Sequence, residues 1–324
     1  MMRSIKKWLL LGMATGCLVS CRTSPTVPAA AGSLQPGISP AAMAAARQTI
    51  PMVATGGVQP WRGASLEALK LADQNPADPV LVGQVCRDGK TVGYFFLEAK
   101  PPHRLLEWGV DAEKPLVPGK QADALTGIAN VQQFKGTFSG QTAVSGCVPS
   151  AAANVAAHWA KHGYPQIESE IATAAGMQRL VLNLRERFKV ELIPDDKGYT
   201  DDGTTLTGAW PASAATGLRQ FFQERQVKLD VSEVIPFDRK PLRQEIAAGR
   251  PVFLCGGGIR LPHKPWLTWG HALTAVGWAE IDGRGFVMVH DNFYPTRAAN
   301  AARWLPETLF DSMVLVSPAT NANH

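Results

Sequence analysis

Apolar residues recur along this chain in two rhythms, and the rhythm changes part-way. Between residues 147 and 248 they return every three or four positions, the spacing of one helix face. This predicts helices over 147–162, 169–190, 211–225 and 239–248, with Gly163 and Gly249 ending the first and last. From 252 onward, short apolar runs at 252–255, 272–279, 286–290 and 313–317 predict strands. Ahead of the helices, runs at 80–87 and 91–98 flank Asp88-Gly89, a pair suited to a tight hairpin turn, and 105–108 offers a third strand. Leu66, Leu69 and Leu71 suggest a short helix. The polar, glycine-bearing stretch 195–208 reads as a loop. Helices first and sheet last give an α+β fold class.

The first sixty residues follow neither rhythm. Arg3, Lys6 and Lys7 precede an apolar run from Trp8 to Val19, too short for a stable membrane span. The run closes on Leu18-Val19-Ser20-Cys21, which resembles a bacterial lipobox; Cys17 is a weaker candidate. The resemblance implies removal of 1–21 up to a lipidated Cys21. It also implies an exported lipoprotein held at the cell envelope, at the outer membrane facing the periplasm. Residues 22–60 are rich in Pro, Ala, Gly, Ser and Thr and read as a flexible tether, with a short helix near 40–48. The remainder divides into a small β-hairpin accessory unit at 61–118, a main domain at 119–318 and a tail at 319–324.

Composition narrows the function classes. Of the formal net charge of +5, three positive charges sit on Arg3, Lys6 and Lys7, and no basic run follows, so nucleic acid is not an expected partner. No paired Cys-x-x-Cys ligands mark a metal site, and no cofactor motif is present; Gly256-Gly257-Gly258 lacks the residues of a phosphate loop and reads as a cleft rim. Beyond Cys21, Cys86, Cys147 and Cys255 remain, and Cys86 with Cys255 is the one pairing that leaves Cys147 free.

Cys147 carries the clearest chemistry. It heads the alanine-rich helix, and Pro149 suits that helix's first turn. The N–H groups and dipole at such a position favour a thiolate. His271 opens the strand His-Ala-Leu-Thr-Ala-Val-Gly-Trp, from whose end it can project into a cleft. Asp291 is the candidate to orient the imidazole and Asn292 the alternative; His290 points to the other face. Gln141, six residues before Cys147, is the candidate oxyanion donor. Trp266, Trp269 and Gly270 are candidate walls of a substrate cleft.

The order Gln141, Cys147, His271, Asp291 resembles the papain-like cysteine peptidase clan. It most resembles the bacterial branch related to double-glycine leader peptidases. Cys147-Val-Pro149-Ser150 followed by alanines, Gly270-His271-Ala272 and Val289-His-Asp291 carry the likeness, over about 120–318. Val148 departs from it, standing where glycine is usual. The resemblance implies a papain-like fold, a helical half bearing the cysteine against an antiparallel β half bearing His and Asp. It also implies hydrolysis of amide bonds in a peptide or protein substrate by a Cys-His-Asp triad. Two alternatives share the residues: a transamidase or cell-wall acyl transferase, and an inactive binding lipoprotein. The sequence sets no oligomeric state.

Overall fold

The computed structural model describes residues 38–56, 59–72, 79–110, 122–168, 171–193, 204–210, 212–261, 264–281, 283–292 and 302–319. Along them run α1 (Pro40–Thr55), β1 (Ser65–Ala72), β2 (Val80–Arg87), β3 (Lys90–Glu98), β4 (Leu105–Val110) and β5 (Ala122–Ala124). Next come β6 (Lys135–Phe138), β7 (Gln141–Val144), α2 (Cys147–Lys161), α3 (Ala174–Arg187), β8 (Glu191–Leu192) and β9 (Thr207–Gly208). Last are α4 (Ala212–Glu224), β10 (Leu229–Val234), α5 (Arg239–Ala247), β11 (Val252–Leu261), β12 (Lys264–Ile281), β13 (Arg284–His290), β14 (Ala302–Pro306) and β15 (Phe310–Pro318). The architecture is mixed α+β around one large antiparallel sheet. Its strand order is β1-β2-β3-β4-β14-β13-β12-β11-β15-β10, with β5 added beside β12.

The sheet is continuous across the join between β4 and β14, where Ala302, Arg303 and Trp304 face Val110, Gly109 and Trp108. The unit at 61–118 is therefore not set apart in a sheet of its own. Its hairpin extends the sheet that carries the chemistry, and Trp108 stacks on Trp304 at 4.6 Å between ring centroids. The expected boundary near 115–119 lies outside the described residues, as do 1–37 with Cys21 and the lipobox. Asp88 and Gly89 both take positive φ, as a tight hairpin turn requires.

Two expectations need correction. Leu66, Leu69 and Leu71 lie on strand β1, paired antiparallel with β2, and not on a helix. Three leucines over six residues suit either period, and pairing with the apolar β2 decides for the strand. The flexible tether does not extend to residue 60. From Pro40 the chain forms α1, capped by Ser39, whose Oγ accepts from the Ala42 N–H at 3.1 Å. Ala42, Ala46, Ile50 and Val53 recur at helical spacing and are buried with Trp61, Phe95 and Ile281. Small side chains give a composition that resembles a linker, yet their spacing supplies a packing stripe.

The helices α2, α3 and α4 form a second core with Phe253, Cys255, Ala272, Val314 and Val316. Val252, Leu254, Leu273 and Ala275, which alternate with that set, pack with Leu242 and Ile246 of α5 on the opposite face. β12 therefore lies between layers, with α2 across one face. The contact is close because α2 presents alanines; Ala151, Ala152, Ala153, Ala156 and Ala157 are all buried. It is also keyed by polar groups. Asn154 donates through Nδ2 to Thr274 Oγ1 at 3.0 Å, and Thr274 donates to the Ala151 carbonyl at 3.0 Å. Asn154 Oδ1 accepts from the Val131 N–H at 2.8 Å.

Asn154→Ala leaves the buried Val131 N–H without its acceptor and Thr274 Oγ1 without its donor, while Thr274 keeps its bond to the Ala151 carbonyl. A loss of about 1–3 kcal/mol in stability is expected, read as a lower urea midpoint. An unchanged midpoint would show that this clamp does not hold the two elements together.

Candidate active site

Cys147 is the first residue of α2. Gly146 before it has φ 101°, and a Cβ there would meet Thr207 Oγ1 at 2.9 Å, so glycine is needed to turn into the helix. The approach is fixed from several sides. Ser145 exchanges main-chain and side-chain hydrogen bonds with Phe134. Buried Arg185 donates to the Ser145 carbonyl at 2.8 Å and to Thr207 Oγ1 at 3.3 Å. Ser150 Oγ donates back to the Gly146 carbonyl at 2.9 Å. The sulfur is thus delivered by a braced turn to the helix end where N–H groups point outward.

His271 is brought to it by β12, and the thiol and imidazole are hydrogen-bonded. The ring Nε2 lies 2.7 Å from the main-chain carbonyl of Asp291. A carbonyl only accepts, so Nε2 carries the hydrogen and Nδ1 is left to face the sulfur. Burial opposes the charged form of both groups, but their mutual hydrogen bond and charge attraction outweigh it. The Cys147 thiol is held below its ordinary value and the His271 imidazole above its own. The Ala272 and Val148 N–H groups also donate to the sulfur and lower it further. This is the arrangement of a thiolate–imidazolium pair.

Around the pair opens a cleft of about 660 Å³. Gly270 lines it, as do Gly256 and Gly257, which belong to strand β11 rather than to a loop. A Cβ at Gly256 would lie 2.2 Å from the Leu309 carbonyl, so the strand can pass here only as glycine. Leu192, Ile193 and Ala209 make the floor apolar, and Trp210, 83% exposed, stands beside exposed Ile235 at its edge. Lys189, Glu191 and Asp311 add charge.

The sequence-predicted residues fare unequally. Cys147, His271 and Gly270 come together. Asp291 comes with them, but the hydrogen bond that orients the ring is made by its main-chain carbonyl, and its carboxylate lies 3.5 Å from Arg303 Nη1. Asn292 does not orient the ring. Its Nδ2 donates to the Ala272 carbonyl at 3.0 Å and its Oδ1 accepts from Gln133 at 3.2 Å, so it braces the strand beside the histidine. Gln141 is exposed on β7 and does not line the cleft. The Ser139-Gly140 turn, with both φ positive, folds β6 onto β7 and places Gln141 opposite Phe138. No glutamine or asparagine side chain lines the cleft among the described residues. Trp269 faces Ile259 across the β11–β12 ladder and is not a cleft wall; the Trp266 side chain lies outside the described residues. Trp210 takes the aromatic position, and nothing in its sequence surroundings marked it.

His290 turns to the other face and bonds the Ala129 carbonyl through Nδ1 at 2.9 Å, as strand alternation predicts. None of Cys86, Cys147 and Cys255 is disulfide-bonded, so no Cys86–Cys255 bridge forms. Cys255 also lines the cleft, but burial first, then the nearby Cys147, pushes its thiol up to about 12. Among the described residues no cluster of His, Cys, Asp and Glu suits a metal ion, and no helix is long and apolar enough to cross a membrane. No family model matches the chain, and no curated protein matches it either.

The three thiols should separate by reactivity. Iodoacetamide at neutral pH is expected to modify Cys147 and leave Cys86 and Cys255 intact in the native protein, read by peptide mass spectrometry. The Cys147 rate should fall at least about tenfold in His271→Ala, since burial then holds the thiol above neutral pH and each unit above it removes that much thiolate. Equal labelling of Cys147 and Cys255 would contradict the assignment.

Proposed function

We propose that the protein is a cysteine-type peptidase, a hydrolase of amide bonds in peptides or proteins, with a papain-like arrangement of its catalytic groups. The observation that carries this reading is the hydrogen-bonded Cys147–His271 pair at the wall of an open cleft. A helix-borne thiol facing a histidine on an antiparallel sheet is consistent with the papain-like likeness of the sequence. So is the closure of the site by a carbonyl on the far nitrogen of the ring.

The steps follow from the groups present. The Cys147 thiolate adds to the carbonyl carbon of the scissile bond. Negative charge on the carbonyl oxygen falls near the first turn of α2, whose main-chain N–H groups replace the glutamine donor expected at 141. His271 gives its Nδ1 proton to the leaving amine, and the amide C–N bond breaks to leave a thioester. The neutral imidazole then takes a proton from water, whose hydroxide displaces the thiol and releases the acid. Nε2 stays bonded to the Asp291 carbonyl throughout, which keeps the ring from rotating away. Apolar Leu192, Ile193 and Trp210 favour substrates that place a large apolar side chain in the cleft.

The sequence likeness of residues 18–21 to a lipobox adds a location. We infer that the enzyme is tethered through lipid on Cys21 to the outer membrane, facing the periplasm, and acts on peptides reaching that surface. Cys21→Ala is expected to move the protein from the membrane to the soluble fraction of the envelope; an unchanged distribution would remove the tether.

Digestion of a peptide library by wild type, followed by mass spectrometry, tests the reaction itself. Cleavage is expected to fall at least about 10⁴-fold in Cys147→Ala. In Gln141→Ala it should stay within about threefold of wild type, whereas loss of an oxyanion donor costs about 10²–10³. Products carrying an added amine in place of water would assign a transamidase instead. No Cys147-dependent product from any peptide would contradict the enzyme reading.

A further inference from the structure

Arg303 is a buried arginine that the chemistry above does not use. It stands on β14 opposite Val289 of β13, two residues before Asp291. Its Nε and Nη2 grip Glu107 of β4 at 3.0 and 2.8 Å, and Nη2 also donates to the Arg260 carbonyl of β11. Tyr94 of β3 donates to the same Glu107 carboxylate at 2.8 Å. Glu107 is the nearer counter-charge of Arg303. Yet Nη1, the third arm of the guanidinium, extends to Asp291 Oδ2 at 3.5 Å. Asp291 is the residue whose carbonyl holds the His271 ring. Its side chain and its main chain therefore have different tasks: one is tethered to a rigid fork, the other points at the imidazole.

We propose that Arg303 is a positioning residue for the Cys147–His271 pair, anchoring Asp291 by its carboxylate so that the carbonyl of the same residue fixes the imidazole. The fork is itself held by Glu107 and Tyr94, so strands β3 and β4 are part of the positioning device. Cleavage of those strands from the rest would dismantle it. The catalytic consequence rests on the peptidase reading, but the positioning can be read from thiol reactivity without a substrate.

The groups that set this reactivity come from every neighbouring element. Cys147 lies on α2, His271 on β12, and His290 and Asp291 at the end of β13. Arg303 is on β14, Glu107 on β4, Tyr94 on β3 and Arg260 on β11; Cys255 and Asp311 face the cleft from β11 and β15, Glu191 from β8 and Lys189 from the turn between α3 and β8. Removing Arg303 alone strands Glu107 as a buried charge and endangers folding. Replacing both by apolar residues of similar volume avoids the stranded Glu107 charge, at the loss of the Asp291 and Tyr94 hydrogen bonds.

The experiment is the pH dependence of Cys147 alkylation by iodoacetamide, with urea midpoints recorded beside it. The variants are Glu107→Met with Arg303→Met, Arg303→Lys, Asp291→Asn and His271→Ala. The double variant is expected to shift the rise of alkylation to higher pH by about one unit, a roughly tenfold slower reaction at any pH below the wild-type rise. Arg303→Lys keeps the charge but loses the fork, and should fall between it and wild type. Asp291→Asn keeps the carbonyl and an acceptor for Arg303, and should shift less than the double variant. A folded double variant with the wild-type profile would overturn the proposal. So would Asp291→Asn displaced as far as His271→Ala, because the carboxylate would then orient the ring itself. Should the double variant not fold, Arg303→Lys decides alone, a wild-type profile overturning the proposal. A wild-type profile equal to that of His271→Ala would remove the thiolate–imidazolium pair, and both readings with it.

Discussion

The packing of α2 against β12 is the constraint on which the rest of the molecule depends. Cys147 and His271 are far apart in sequence, and each is rigid only within its own element. What brings sulfur and imidazole into register is a helix of alanines lying close on a strand, keyed by Asn154, Thr274 and the Ala151 carbonyl. Larger side chains along that helix would push it outward, and a thiol moved by an ångström loses the hydrogen bond that sustains its charge. Apolar packing sets the distance between the layers. The buried amide and hydroxyl set the register, because a slip by one residue would leave both unsatisfied.

A second buried polar set governs the other side of the imidazole. Asp291 and Asn292 follow β13 directly, and Asn292 takes φ 43°, a left-handed conformation that asparagine tolerates. Asn292 is tied to the Ala272 carbonyl and to Gln133, Asp291 to Arg303, and Arg303 to Glu107 and Tyr94. Such a network contributes little net stability once desolvation is counted. Its return is geometric: the residue whose carbonyl meets His271 is held from two strands at once.

Some of this was legible in the residues and some was not, for reasons that differ. Gly146, Pro149 and the following alanines state a helix start with the cysteine at its head. The apolar run that follows His271 states a strand but puts the histidine at its opening end; β12 begins at Lys264 and carries His271 in mid-strand, opposite Gly256, where the glycines of β11 leave room for the ring. Asp291 was found, but periodicity reports which way a side chain points and is silent on a main-chain carbonyl, so the orienting atom was misassigned. Gln141 was placed by counting back from Cys147, as if the chain ran straight into the helix. The Ser139-Gly140 turn makes that segment a hairpin and sends Gln141 to solvent. Trp266 and Trp269 were chosen for nearness in sequence, while Trp210 reaches the cleft from far along the chain. Arg303 and Glu107 carry no local signal, since their pairing exists only once β4 lies beside β14.

The account reduces to a charge shared between one sulfur and one ring. An NMR titration that follows the His271 imidazole in wild type and in Cys147→Ser measures that charge without any substrate. The account predicts that His271 stays protonated to a higher pH than an ordinary histidine in wild type, and loses that proton at distinctly lower pH once the thiolate is gone. Superimposable titrations in the two proteins would mean that the ring does not sense the sulfur, and would contradict it.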